Sequence, residues 1–223
     1  MDDAAIRNAL KSRLTIQHSG EDALILDELG LSEGDVRADV AVINGSLNGY
    51  EIKSDLDNLH RLPNQRDVYC QFFDTVTLVV ARRHLRKART QVPRWWGIVV
   101  AVPSDGRIGL RTLREPKPNP NVEIGAVVKL LWRSEALAIL ARLGKARGAR
   151  GKSRDKLWAA IVGQCDKEEV KRLVREQLKA RGDWRSAGRR RSSDGLSRLV
   201  STSLHSPVRQ RHLHSHQCMH RPN

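Results

Sequence analysis

Residues 37–54 read RADVAVINGSLNGYEIKS, and the fold is decided in this stretch. Two short apolar runs, 40–43 and 50–53, flank the pairs Asn44-Gly45 and Asn48-Gly49. Asn-Gly tolerates positive φ, so the two runs are predicted to pair as a hairpin. Side chains alternate faces along a strand. Glu51 and Lys53 therefore share one face, and Ile52 takes the other. Asp39, at the mouth of the first run, joins them if it points the same way. Two carboxylates and an ammonium on one sheet face suit a divalent cation or the charge of a phosphate. The same residues also suit the wet face of an edge hairpin.

On the N-terminal side, Asp2 or Asp3 can cap a helix in which Ile6, Leu10 and Leu14 recur at helical spacing. A polar break at 17–22 precedes the run Leu24-Ile25-Leu26. That run reads as a strand, with a helix over 21–31 as the competing reading. Either places Glu28 within reach of the Asp39–Glu51 face, and Glu21 is the reserve acid. On the C-terminal side, a helix from about 64 to 72 follows Pro63 and carries Gln65 and Tyr69 on one face. TVTLVVA at 75–81 is a buried strand. A short basic helix follows, with Arg82, Arg83, Arg86, Lys87 and Arg89, and Pro93 ends it. Strands over 97–102 and 108–113 complete a mixed α/β domain spanning 1–115.

PKPNP opens a linker at 116–121. A helix is expected over 122–143, then a cationic, glycine-rich stretch, GKARGARGKSR, at 144–154. It suits a clamp on a phosphate backbone, but it lacks the G-x-x-x-x-G-K-[ST] frame of a nucleotide-binding loop. Helices over 156–162 and from Asp166 to Ala180 complete a basic helical annex at 122–181. Residues 182–223 show no apolar period and read as a disordered basic tail. Its His212, His214, His216, Cys218 and His220 match no standard zinc-finger spacing.

Charge divides the chain. Residues 1–120 hold 17 Lys or Arg against 16 Asp or Glu, whereas 121–223 hold 23 against 9. Such a field attracts nucleic acid without reading its sequence. No run is long and apolar enough to span a membrane, and the opening MDDAA lacks a secretory pattern. Three scattered cysteines fit a reducing cytoplasm. No His lies in a recognisable nucleophile signature.

Asp39, the Glu51-Ile52-Lys53 triplet and the Gln65-x-x-x-Tyr69 pair together resemble the PD-(D/E)XK nuclease superfamily, in its RecB-like branch. The wider string from Arg37 through the 75–81 strand resembles an uncharacterised bacterial family assigned to that superfamily. That family also carries segments like PRWWGI at 93–98 and LLWRSEAL at 130–137. The resemblance implies an α/β, restriction-endonuclease-like fold, a central mixed sheet flanked by helices. It implies a metal-dependent nuclease hydrolysing phosphodiester bonds in nucleic acid, DNA ahead of RNA, using Mg²⁺ with Mn²⁺ as substitute. Glu28, Asp39 and Glu51 would hold the metal, Lys53 would orient water or stabilise charge, and Gln65 and Tyr69 would position the substrate backbone or brace the site. Ala38 stands where the family's name-giving proline would be. The alternative is a nucleic-acid-binding or scaffolding protein that keeps the fold without turnover.

Overall fold

The computed structural model describes residues 1–104 and 106–181. The tail expected at 182–223, with its histidine-rich end, lies outside the described residues.

Six strands form one sheet in the order β1-β2-β3-β4-β5-β6. The strands are β1 Leu24–Leu31, β2 Val36–Ile43, β3 Leu47–Lys53, β4 Thr75–Ala81, β5 Gly97–Ser104 and β6 Arg107–Arg114. β1, β2 and β3 pair antiparallel, β3, β4 and β5 pair parallel, and β6 returns antiparallel on β5. The parallel neighbours require crossovers. The first carries α2 Leu62–Phe72 and the second α3 Leu85–Gln91. This is a mixed α/β sheet flanked by helices, and strand order alone does not single out a restriction-endonuclease-like version of it.

The hairpin of β2 and β3 forms, with Val40 opposite Tyr50, but its turn is not the one expected. Neither Gly45 nor Gly49 has positive φ. Gly49 lies inside β3, where an added Cβ would sit 2.6 Å from the Phe73 ring. A close approach, rather than a turn, requires glycine there.

The sheet has two differently used faces. α1, Asp3–Gln17, is capped by the Asp2 carboxylate, which accepts from the Ala5 N–H. It lays Ile6, Leu10 and Leu14 on Val40, Val42, Ile52 and Val79. Each such side chain buried contributes about 1.5–3 kcal/mol before entropy is counted. Ile52 thus faces α1, and alternation sends Glu51 and Lys53 to the opposite face, toward α2.

The helix expected over 122–143 is broken. α4, Ile124–Val127, runs into a 3₁₀ turn, Val128–Leu130; Leu131 and Trp132 are extended, and α5 spans Arg133–Arg142. The Trp132 N–H donates to Glu135 Oε2 at 2.7 Å, which starts a new helix where the old one stops. Glu135 is held by Arg181, whose guanidinium also lies over the Trp132 ring. α6, Arg154–Val162, and α7, Lys167–Ala180, follow. Asn119 Nδ2 donates to the Cys70 and Phe73 carbonyls at 2.7 Å, tying the 116–121 stretch to the end of α2. Residues Met1–Gly182 make one compact unit. Among the described residues, no helix is long and apolar enough to cross a membrane.

Candidate functional site

A cleft of about 450 Å³ opens beside β2, β3 and the start of α2. Its wall includes Asp39, Glu51, Lys53 and Gln65. β3 supplies Glu51 and Lys53 two residues apart, and the Lys53 Nζ meets Glu51 Oε1 at 2.5 Å. Helix α2 presents Gln65 and Tyr69 one turn apart. Gln65 Oε1 accepts from Lys53 Nζ at 3.0 Å. The Tyr69 hydroxyl lies 2.5 Å from Glu51 Oε2 and 3.2 Å from the Arg37 carbonyl. Tyr69 is fully buried and its ring stacks on Trp96. Asp39 sits within β2, and its Oδ2 accepts from the Ile52 N–H at 2.7 Å. The structure therefore brings Asp39, Glu51, Lys53, Gln65 and Tyr69 into one network.

The acids proposed from sequence as a third partner behave differently. Glu28 lines the cleft at φ +55°, half exposed, 3.5 Å from the Arg37 guanidinium. Glu21 bonds to His18 at 2.7 Å and is not part of the cleft wall. Sequence reading missed Arg7. This α1 residue pairs with Asp39 Oδ1 at 3.1 Å, also reaches the Asp39 carbonyl, and is held by Asp3 one turn back. The Asp3/Arg7 spacing is visible in the sequence, but the reach of Arg7 across to β2 depends on how α1 docks.

Burial sets the electrostatics. Desolvation and the nearby Asp39 charge push the Glu51 carboxyl up to about 7, against the opposing pull of Lys53 and Tyr69. Asp39 is raised as well, mainly by burial, against the Ile52 N–H and Arg7. Tyr69 is held well above its ordinary value by burial and by the Glu51 charge. Both Glu51 oxygens and both Asp39 oxygens are already occupied by protein donors. Chemically the cluster is a closed ion-pair and hydrogen-bond network that ties β2, β3, α1 and α2 together.

A model of the family described as "Bacteriophage P4 protein cII" matches residues 2–197. Protein cII of Enterobacteria phage P4 is 28% identical over 123 residues, covering 55% of this chain. The matched stretch spans about half of that relative, 47% of its length. No solved structure matches. The chain belongs to the bacteriophage P4 cII family. This membership overturns the resemblance to the PD-(D/E)XK superfamily and its RecB-like branch. The nuclease activity, the phosphodiesterase assignment and the Mg²⁺ or Mn²⁺ cofactor inferred from that resemblance fall with it. The site agrees: among the described residues, no three His, Cys, Asp or Glu side chains gather into a set able to hold a metal ion. Glu28 pairs with Arg37 at the cleft wall, and the other two carboxylates are committed to internal donors.

Proposed function

We propose that this cII-family chain binds nucleic acid, DNA in the first instance, through a cationic surface and without turnover. The observation that carries the reading is the loop at 144–153. Lys145, Arg147, Arg150 and Lys152 are exposed there, and among the described residues none has an acidic partner. The loop is nonetheless held in shape. The Arg133 guanidinium donates to the Arg150 and Lys152 carbonyls at 2.5 Å. Gly144 and Gly148 take the left-handed turns at φ +71°. Ala149 is buried beneath them. A fold that pins such a backbone while leaving four cations in solvent suits contact with phosphates.

The wider charge supports the same reading. Residues 121–181 hold 15 Lys or Arg against 7 Asp or Glu. In this reading 1–115 is the α/β body, 116–121 the linker, and 122–181 the basic annex that presents the loop. The cleft beside Glu51 is a poor phosphate site. Six acids line it (Asp3, Glu28, Asp35, Asp39, Glu51 and Asp57), against Arg37, Lys53 and Arg61. Its network braces the sheet instead.

The test is a titration of labelled duplex DNA, single-stranded DNA and RNA over a range of salt. Affinity is expected to fall as salt rises, with a log–log slope of about −0.9 per duplex phosphate neutralised. Replacing Lys145, Arg147, Arg150 and Lys152 by Ala should flatten that slope. Absent or salt-insensitive binding on all three ligands rejects the reading.

A further inference from the structure

We propose that the concavity between the 57–60 turn and α3 is a second phosphate-contact site for the nucleic-acid backbone, separate from the 144–153 loop. The proposal rests on the nucleic-acid reading above and adds a surface that the charge count hides. Residues 1–120 sum almost to neutrality, but their charges are segregated. Five of the acids line the Glu51 cleft alone, and a sixth, Asp57, borders both that cleft and this concavity. Residues 82–89, RRHLRKAR, hold five cations and no acid.

The local fold turns those cations outward. Ala88 is buried and anchors α3, while Arg82, Arg83, Arg86, Lys87 and Arg89 are exposed. None of the five forms an ion pair with a described acid. Arg83 and His84 lie on the 3₁₀ turn Arg82–His84 that runs into α3, and together with Lys87 of α3 they form one face. That face lines a concavity of about 330 Å³, with His60 and Asn58 on the facing turn. The one acid on its wall, Asp57, is engaged: its Oδ2 accepts from the Ser54 N–H at 2.7 Å and the Ser54 hydroxyl at 2.6 Å. Arg83 Nε donates to His84 Nε2 at 3.2 Å, which leaves the terminal guanidinium nitrogens for a ligand. A planar fork and a nearby ammonium suit the oxygens of a phosphodiester. The exposed cations continue past Lys87 with Arg89 and Arg94.

The experiment uses the full chain and labelled duplex DNA. R83A/K87A is compared with wild type, with the four-fold loop variant, and with R107A/R111A, which removes the same charge from exposed positions on β6, outside both the annex and this concavity. Melting curves check that each variant is folded. The site predicts a salt slope lower by about 0.9 for each lost contact in R83A/K87A. It also predicts an affinity loss of about ten-fold or more at about 0.1 M salt, equal across DNA sequences. R107A/R111A should stay near wild type. If R107A/R111A loses as much as R83A/K87A, only general charge is at work and the site is overturned. If R83A/K87A matches wild type while the loop variant weakens, the α3 site falls and the nucleic-acid reading stands. If wild type itself does not bind, both fall.

Discussion

Glu51 is enclosed by protein and still titratable, because its carboxyl is pushed up to about 7 by burial and by Asp39. A folded-state pKa above the ordinary value of 4.5 means that the native chain holds a proton that the unfolded chain releases. The stabilisation from Glu51 is then complete below about pH 4.5 and is lost as pH rises through about 7. Glu51→Gln keeps the shape and removes the titration. Against that variant, wild type should lose roughly 1–3 kcal/mol of stability between about pH 5 and pH 8. Urea melts at several pH values measure the difference. A gap between the two proteins that does not change with pH rejects the assignment. Asp39 shifts in the same direction, with burial the leading cause, and because its charge also acts on Glu51 the comparison reads the coupled pair.

At the scale of elements, the readable parts are those whose signal is local. β4 is a dense β-branched run, α7 begins at a capping Asp166, and α1 repeats its apolar residues at helical spacing; each lies at or close to its expected position. The misread parts answer to distant neighbours. The break at Leu131 and Trp132 depends on Glu135 and on Arg181, 46 residues further along the chain. Gly49 signals a turn locally, yet it is needed because Phe73 from beyond α2 packs against its Cα. The two hairpin glycines should therefore respond differently to a methyl group. Gly49→Ala forces the ring or the strand to move and should cost about 1–3 kcal/mol. Gly45→Ala meets nothing within 4 Å and has no positive φ to protect, so its melting temperature should stay near wild type. Equal melting of the two variants counts against the Phe73 account.

Over the whole molecule, strand alternation was enough to place Glu51 and Lys53 together, and the helical spacing of Gln65 and Tyr69 placed them on one face. Arg7 stayed hidden because its partner lies 32 residues away, across the docking of α1. The pattern misled about activity for a physical reason. An acid and a lysine two apart on a strand describe a shared face, and a buried bracing ion pair produces that face as readily as a catalytic one. Charge is the more durable clue, and its distribution yields a last prediction. Residues 183–223 hold 8 Lys or Arg against 2 Asp or Glu, while 1–182 hold 32 against 23. The net charge of +15 thus divides into +6 beyond the compact unit and +9 within it. The loop at 144–153 and the α3 cations belong to the unit. A chain ending at Gly182 should melt cooperatively, because Met1–Gly182 forms one compact unit with its own buried core. It should still bind duplex DNA, with a salt slope reduced by about 0.9 for each phosphate that the removed residues had neutralised. Binding that disappears altogether on this truncation would place the interface beyond Gly182 and displace the annex loop from the account.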